Sequence, residues 1–133
     1  MDQAWLKEET ARQKKEAQRR STVYRAGRTP ITIAGETAII VDDGIATGLT
    51  MRLAVRSAKS QNAKRIVVAA PVAAAESLPH IRAEGADELF ILEPPETFAG
   101  AVGAHYIAFD QVEDDEVTRL LQPMYEARNK NIH

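Results

Sequence analysis

Three short apolar runs, with helix-length segments between them, constrain the fold of this chain more than any other feature. The runs are Thr37–Val41 (TAIIV), Arg65–Ala70 (RIVVAA) and Glu88–Leu92 (ELFIL). Apolar runs of this length that end at Asp or Pro are typical of strands buried on both faces of a parallel sheet. The intervening segments, Thr50–Ser60 and Ala73–Ala83, favour helix. Two successive βαβ units follow, so the sequence predicts an α/β fold with an open, mainly parallel sheet, flanking helices and right-handed crossovers.

The N-terminal residues predict a long polar helix. Between Gln3 and Tyr24 there is no Gly or Pro, and helix-forming residues dominate. The apolar positions are too sparse to hold this helix against a core, and a polar helix of such length is marginal alone. We therefore expect Trp5 and Leu6 to contact another segment or another subunit, with a frayed tail as the alternative.

The end of the chain predicts a strand and a final helix. Tyr106–Phe109 is expected to form an edge strand. The acidic run Glu113–Glu116 should open a helix, because its charges complement the helix dipole, and Pro123 should end or kink that helix. His105 and Tyr106 are left out of the candidate site, since an imidazole and an aromatic ring beside an edge strand are more often packing residues.

Length and composition bound the class of protein. A chain of 133 residues predicts one domain with an appendage, namely an N-terminal helical, hood-like segment (residues 1–35) and an α/β core (residues 36–133). Apolar residues make up 44% and charged residues 27%, which are the proportions of a globular chain. No run approaches the ~18 apolar residues of a membrane span, and no secretory signal is visible. We expect a cytoplasmic protein that does not bind membranes.

Residue counts and charge exclude several kinds of site. The absence of cysteine excludes disulfides, a thiolate nucleophile and sulfur-ligated zinc, and the three histidines (His80, His105, His133) lack metal-binding spacing. Residues 1–30 hold eight Lys or Arg against four Asp or Glu, whereas residues 31–133 hold nine against fifteen. Since the two signs interleave in the first segment, a solvated helix is favoured over a nucleic-acid-binding arm.

The turn after the first apolar run carries the most specific chemistry. The segment Thr37–Met51 (TAIIVDDGIATGLTM) leads from a strand into two adjacent carboxylates and then into a turn that opens a helix. In an open α/β sheet, ligands bind beyond the carboxyl ends of the strands. A helix N-terminus at that place presents unpaired amides and the positive end of its dipole, which favour a phosphate group.

The residue types in this turn fit a ribose 5-phosphate. Gly48 lets the backbone approach an anion closely, and the hydroxyls of Thr47 and Thr50 can donate hydrogen bonds to it. Asp42 and Asp43 would repel a polyphosphate. They are suited to accept hydrogen bonds from vicinal sugar hydroxyls, or to hold a divalent cation between themselves and a ligand.

Rival motifs fit the turn less well. The sequence has no Gly-Lys-Ser/Thr of a Walker A loop, no G-x-G-x-x-G and no D-x-D of aspartyl-phosphate phosphatases. A receiver domain would carry its phospho-accepting Asp after the next strand, which ends in Pro71. Ordinary βα-loop chemistry, with Asp43 and Gly44 in a turn and Thr47 as a helix cap, explains each residue singly but not the whole run.

The run from Val41 to Thr50 (VDDGIATGLT) resembles the phosphoribosyl pyrophosphate motif of type I phosphoribosyltransferases. Further segments resemble a bacterial subgroup of predicted phosphoribosyltransferases and extend the likeness over nearly the whole chain; they are Gly35–Thr37, Val68–Val72, Phe98–Gly103, Tyr106–Phe109 and Asp114–Leu121. The resemblance implies transfer of a phosphoribosyl group with displacement of pyrophosphate, and Mg²⁺ bound to that pyrophosphate.

The resemblance also implies roles for individual residues. Asp42 and Asp43 would bind the ribose 2- and 3-hydroxyls. The 5-phosphate would be bound by Ala46, Thr47, Gly48, Leu49 and Thr50, through backbone amides and the two threonine hydroxyls. A nucleobase-like acceptor would lie near Pro71 and Val72. No residue is assigned as catalytic or as a direct metal ligand.

The sequence departs from the family before its ribose motif. Full-length relatives carry a first βα unit with a Pro-Arg-Gly-Gly-like pyrophosphate loop, whereas the 41 residues before Asp42 contain no such loop. We expect this unit to be missing, so that an exposed sheet edge pairs in a homodimer or with a complementing chain, with the basic helix at the contact. Two functions stay open, a phosphoribosyltransferase completed by missing elements and a noncatalytic module that binds phosphoribosyl ligands or serves assembly.

Overall fold

The structure is a computed structural model that describes residues 3–130. The predictions for His133 and for the side chain of Leu6 lie outside the described parts. The helices are α1 (Gln3–Arg25), α2 (Leu49–Ser60), α3 (Leu78–Glu84) and α4 (Asp114–Lys130), and the strands are β1 (Thr37–Val41), β2 (Arg65–Ala70) and β3 (Glu88–Ile91). Short 3₁₀ turns occupy Ala75–Ser77, Pro95–Thr97 and Val102–His105.

The three strands form an open parallel sheet in the order β1-β2-β3. Ile39 of β1 is opposite Val67 of β2, and Ala69 of β2 is opposite Phe90 of β3. The predicted α/β fold with an open parallel sheet, flanking helices and a long N-terminal helix is confirmed. Because the carboxyl ends of parallel strands share one edge, the loops that follow β1, β2 and β3 are neighbours in space.

Residues 32–109 form one compact unit, in which α2 and α3 cover one face of the sheet. Val55 of α2 and Ile81 of α3 are fully buried together with Val68 of β2. Each such side chain contributes about 1.5 to 3 kcal/mol through burial. Helix α2 carries the candidate site at its first turn, so this packing fixes the place of the site relative to the sheet.

An ion-paired glutamate also joins α2 to α3. The carboxylate of Glu84 accepts hydrogen bonds from the guanidinium groups of Arg56 and Arg52, the shortest being 2.8 Å for each arginine. These two arginines, Arg56 first, lower the pKa of Glu84 to about 2. The carboxylate therefore stays ionised around neutral pH and well into the acidic range, and the two helices keep this link.

The other face of the sheet is exposed, and the prediction of burial on both faces is wrong for β1. Ile39 and Val41 are 66% and 70% exposed, and Phe90 on the same face is 59% exposed. Two right-handed crossovers that advance in one direction along a sheet place both helices on the same face. Apolar runs alone do not reveal this, since they show which residues tolerate burial and not which face is covered.

Residues 1–31 and 110–133 form the second unit. Arg19 of α1 forms an ion pair with Asp114 at the start of α4 over 2.8 Å, and the hydroxyl of Tyr24 donates to the same carboxylate over 3.0 Å. The guanidinium of Arg28 lies 4.4 Å from the ring centroid of Tyr125. Helix α1 thus packs with α4, which the sequence-based division had placed in the core, while Trp5 is 57% exposed.

One prediction near the end of the chain is wrong. Residues 106–109 form no strand; the aromatic side chains there pack against each other instead of alternating across a pleat, with the ring centroids of Tyr106 and Phe109 5.1 Å apart. Of the two outcomes expected at Pro123, an end or a kink of the helix, the end is not found, because α4 continues to Lys130. A proline removes one hydrogen bond and strains one turn, and the helix-forming residues on both sides carry the helix across that local cost.

Candidate functional site

The residues after β1 divide into two parts, which we name the acidic turn (Asp42–Gly44) and the glycine loop (Ile45–Thr50). The amide of Asp42 still bonds to β2, at the carbonyl of Ala69 over 3.2 Å. Beyond the turn, the amide of Ile45 donates to the carbonyl of Val72 over 3.0 Å, and the carbonyl of Ile45 accepts from the amide of Ala74 over 2.8 Å. The backbone of the glycine loop is therefore fixed at its start by the segment that follows β2.

Gly48 sets the geometry at the other end of the glycine loop. It is the N-cap of α2 with φ 75° and ψ 3°, a left-handed conformation that favours glycine. A β-carbon at this position would also lie 3.1 Å from Cβ of Ser77. The first bond of the helix runs from the amide of Arg52 to the carbonyl of Gly48 over 2.9 Å.

The first turn of α2 has amides to offer a ligand. Gly48, the N-cap residue, has no side chain that could cap the helix, and the amide of Leu49 donates a long hydrogen bond of 3.5 Å to the hydroxyl oxygen of Thr47. The first amides of a helix have no intrahelical partner, and they carry the positive end of its dipole. An oxyanion placed over this turn would meet these amides and the hydroxyls of Thr47 and Thr50.

The acidic turn and the glycine loop line one small cavity of about 190 Å³. Its lining comprises Asp42, the residues 44–51 and Val102. The structure thus brings together six of the predicted binding residues, namely Asp42, Ala46, Thr47, Gly48, Leu49 and Thr50. The seventh, Asp43, is exposed beside the cavity.

Negative charge is concentrated at the acidic turn. The amide of Asp43 donates to Oδ1 of Asp42 over 2.9 Å, which ties the Asp42 carboxylate to the backbone of the turn. Although Asp43 is exposed, partial desolvation of its carboxyl raises its pKa above the ordinary value, and the negative charge of Asp42 raises it further. Among the described residues that line the cavity there is no Lys or Arg. Two like charges without a lining cation are suited to a ligand that donates hydrogen bonds at this point.

A second, larger cavity of about 650 Å³ adjoins the first and shares Ala46 and Thr47 with it. The rest of its lining follows the ends of β2 and β3 and consists of Ala74, Ala75, Glu76, Ser77, His80, Pro95, Glu96, Phe98 and Gly100. Its ionisable side chains are two carboxylates and one imidazole. The volume lies within the range of sites for small organic ligands.

Pro71 and Val72, the residues predicted to lie near an acceptor, line neither cavity. Val72 is only 3% exposed, and one of its methyl groups lies against Gly44. The carbonyl of Pro71 accepts a hydrogen bond from the amide of Glu93 over 2.9 Å. The backbone of both residues supports the loops around the site, and the residues of this segment that face the larger cavity come two to eight positions after Val72.

Sequence reasoning missed the contribution of the aromatic segment, which we define as Phe98–Phe109. Val102 lines the smaller cavity, and the hydroxyl of Tyr106 donates to the main-chain carbonyl of Asp43 over 2.5 Å. The segment is held internally by His105, whose ring stacks on Phe98 at 5.4 Å and whose Nε2 accepts from the amide of Ala99. No local pattern in the sequence indicates these contacts, because they join residues about 60 positions apart.

Comparison with known proteins decides the family. The sequence profile described as "Phosphoribosyl transferase domain" matches residues 3–105, which include the acidic turn, the glycine loop and most of the aromatic segment. This chain belongs to the phosphoribosyl transferase family. The family expected from the residues between Val41 and Thr50 is thereby confirmed.

Three relatives of this phosphoribosyl transferase domain illustrate the match. "Putative phosphoribosyl transferase Rv0571c" and "Putative phosphoribosyl transferase MT0597", from two strains of Mycobacterium tuberculosis, are each 42% identical over 106 residues, which are 80% of this chain and 24% of theirs. The crystal structure of TT1426 from Thermus thermophilus matches with a TM-score of 0.74 and 38% identity, covering 91% of this chain and 57% of that one. The chain spans about a quarter of the length of the two Mycobacterium tuberculosis relatives.

Neither a protein-built metal centre nor a membrane-spanning helix is found among the described residues. No group of three or more His, Cys, Asp or Glu side chains within residues 3–130 could hold a metal ion. None of the described helices is long and apolar enough to cross a membrane.

Proposed function

We propose that the smaller cavity binds a ribose 5-phosphate group, as found in phosphoribosyl pyrophosphate. The observation that carries this proposal is that the Asp42 carboxylate and the first turn of α2 line the same cavity of about 190 Å³, with the adjacent Asp43 beside it. One end of the cavity is suited to hydrogen-bond donors and the other to an anion. A phosphorylated pentose offers vicinal hydroxyls and a phosphate in one ligand.

The acidic turn is the half that recognises the sugar. Ionised carboxylates accept hydrogen bonds only, so Asp42 and Asp43 pair naturally with the 2- and 3-hydroxyls of a ribose. A hydrogen bond to a charged group contributes about 1.5 to 3 kcal/mol. The raised pKa of Asp43 means that ionisation costs more than usual in the free protein, and hydroxyl donors would offset that cost.

The glycine loop is the half that recognises the phosphate. Gly48 allows close approach of the backbone, and the amides at the start of α2, with the hydroxyls of Thr47 and Thr50, supply donors for several phosphate oxygens. Because no lysine or arginine lines the cavity, recognition depends on amide and hydroxyl donors and on the helix dipole. This favours a single phosphate group over a polyphosphate in the loop itself.

The larger cavity is proposed as the place of the acceptor. It shares Ala46 and Thr47 with the smaller cavity, so a group bound there lies beside the sugar. In the transfer proposed, a nitrogen of the acceptor bonds to the anomeric carbon of the ribose as the bond from that carbon to pyrophosphate breaks. The electron pair of the broken bond leaves with pyrophosphate, and the proton of the acceptor nitrogen passes to solvent. The anomeric carbon gains positive charge, which the carboxylates of the acidic turn stabilise.

The donor set fits a magnesium ion that arrives with its ligand. Within residues 3–130 no three acidic side chains come together, and Mg²⁺ commonly keeps its waters and binds through substrate phosphates with few protein ligands. Such an ion would neutralise the pyrophosphate and so make it a better leaving group. The part of the chain described here orients the sugar and the acceptor.

A noncatalytic binding module is the second candidate function, and a specific observation favours it. No lysine or arginine lines either cavity, so none of these lining residues offers a cation to the pyrophosphate. Transfer would then require a cationic loop from another segment, from a second copy in a homodimer or from a complementing chain. Without it, the same site would bind phosphoribosyl ligands and leave them intact.

Calorimetric titration with ribose 5-phosphate, inorganic phosphate and ribose tests the site. We expect ribose 5-phosphate to bind more tightly than phosphate, and ribose alone to bind least. Equal affinity for ribose 5-phosphate and phosphate would refute a sugar-binding role for the acidic turn. Release of pyrophosphate from phosphoribosyl pyrophosphate with Mg²⁺ and a panel of nucleobases then separates the two functions, because saturable binding without release supports the module.

A further inference from the structure

The hydroxyl of Tyr106 reaches the acidic turn from the aromatic segment. It donates to the main-chain carbonyl oxygen of Asp43 over 2.5 Å, across 63 positions of sequence. That oxygen belongs to the peptide group between Asp43 and Gly44, at the centre of the turn. This peptide is bonded directly to Cα of Asp43, so a displacement of the peptide also displaces the point from which the Asp43 side chain leaves the backbone.

The other described hydrogen bonds that join the turn to another segment lie on either side of this peptide. The amide of Asp42 bonds to Ala69 of β2, and the amide of Ile45 bonds to Val72 after β2. Between these two points, the amide of Asp43 bonds locally to the Asp42 carboxylate. Among the described hydrogen bonds, the one from Tyr106 is therefore the link that fixes the middle of the acidic turn to another segment.

Tyr106 is itself supported, so it can act as a fixed donor. Its ring lies 5.1 Å from the ring of Phe109. Phe109 in turn packs on Gly103, where a β-carbon would lie 3.1 Å from Cδ1 of Phe109. Val102 of the same segment covers Gly44 so closely that a β-carbon there would lie 2.5 Å from its Cγ1. The aromatic segment thus contacts both residues of the Asp43–Gly44 peptide.

We propose that Tyr106 is a positioning residue for sugar recognition: it holds the Asp43–Gly44 peptide so that the carboxylates of Asp42 and Asp43 face the hydroxyls of a bound ribose. This inference rests on the proposed function. The inference goes beyond the proposed function, because sugar recognition by the acidic turn then depends on a side chain that lines neither cavity. The glycine loop does not depend on Tyr106. Ile45 is bonded to the segment that follows β2, and the carbonyl of Gly48 accepts the first hydrogen bond of α2.

Tyr106→Phe tests the proposal, since it removes the hydroxyl and keeps the ring on Phe109. We expect affinity for ribose 5-phosphate to fall about threefold to tenfold, the effect of one lost neutral hydrogen bond, while affinity for inorganic phosphate stays unchanged. With 2-deoxyribose 5-phosphate the loss of affinity should be smaller, because one of the hydroxyls that donate hydrogen bonds to the carboxylates is absent. A merely structural role would lower binding of all three ligands alike.

Tyr24→Phe is the matched control, because its hydroxyl also donates a hydrogen bond, to Asp114, outside the lining of both cavities. It should leave all three affinities unchanged. The proposal is overturned if Tyr106→Phe keeps the wild-type preference for ribose 5-phosphate over phosphate, with the proposed function then intact. If the wild-type protein shows no such preference, the proposed function fails and this inference with it. Should Tyr106→Phe unfold, Phe109→Leu, which loosens the ring behind Tyr106, must give the same selective loss.

Discussion

The glycine loop and the acidic turn lie next to each other in sequence, yet they are held in different ways. The glycine loop owes its shape to local features, namely a left-handed glycine and a helix start, and to a bridge between Ile45 and Ala73. The acidic turn is shaped by contacts from the aromatic segment, through Val102 and Tyr106. Under the proposed function, one site therefore combines an anion-binding loop that is encoded locally with a sugar-binding turn whose shape depends on residues about 60 positions away.

The most severe test of this difference is Gly44→Ala. The new β-carbon would lie 2.5 Å from Cγ1 of Val102 and 2.9 Å from Cγ2 of Val72, so the turn and the aromatic segment must separate. We expect a loss of about 1 to 3 kcal/mol in the free energy of unfolding, as for other overpacked positions, and loss of measurable preference for the sugar. Denaturant unfolding and titration with ribose 5-phosphate measure the two effects.

The double variant Gly44→Ala/Val102→Ala serves as the control for that clash. Removing the Val102 methyl groups relieves the closest contacts, so the two changes should be non-additive and the double variant more stable than the sum of the single effects. Strict additivity would show that the strain at Gly44 does not come from the aromatic segment.

A pair of substitutions tests separately how the glycine loop and the acidic turn contribute to ligand affinity. Thr47→Ala removes a donor to the phosphate and should weaken binding of both phosphate and ribose 5-phosphate roughly tenfold to a hundredfold. Asp43→Asn should weaken ribose 5-phosphate by a similar factor and leave phosphate unchanged. Calorimetry reports both. Thr118→Ala and Asp115→Asn, in helix α4, are matched controls without effect on either ligand; a loss of phosphate binding in Asp43→Asn would contradict the division.

As the pH is lowered, recognition of the sugar by the acidic turn should weaken before binding of the phosphate by the glycine loop. Since the pKa of Asp43 is raised, its carboxylate takes up a proton at a higher pH than an ordinary aspartate and no longer accepts at both oxygens. We expect the ratio of affinities for ribose 5-phosphate and inorganic phosphate to fall a few-fold, about twofold to fivefold, as the pH is lowered from about 7 to about 4.5. A phosphate monoester and inorganic phosphate take up their second proton at different pH values, so Asp43→Asn serves as the reference for this effect. In that variant the ratio should fall less than in the wild-type protein.

The smallest expected effect is a gain in stability. A carboxyl whose pKa is higher in the folded than in the unfolded state binds its proton more tightly when folded, so its ionised form opposes folding at neutral pH. Asp43→Asn should therefore raise the melting temperature by about 1 to 2 °C at neutral pH. The gain should vanish as the pH falls below the unfolded pKa of aspartate. Asp115→Asn, in the first turn of α4, should not raise it, because an acid there favours the helix dipole.

The sequence predicted best what neighbouring residues determine. Strands β1 and β2 have the predicted limits, and α2 begins one residue earlier than predicted, because apolar runs, Pro and Gly act locally. The exposed face of β1 and the absence of a strand at Tyr106 depend instead on where distant segments pack. The same division applies to the candidate site. Six of the seven binding residues that the motif predicts between Asp42 and Thr50 line the smaller cavity. The contacts of Val102 and Tyr106 with the acidic turn were not predicted, although both residues lie in segments that resemble the family.

The parallel arrangement of the sheet has a consequence for how the domain matures on the ribosome. No tight hairpin can close a parallel pair, so β1 leaves the exit tunnel long before β2 can pair with it, and contacts of such long range form slowly. The glycine loop can take shape once α2 and β2 have emerged. The acidic turn must wait until translation has passed Phe109. Under the proposed function, nascent chains would therefore acquire affinity for phosphate earlier than selectivity for the pentose.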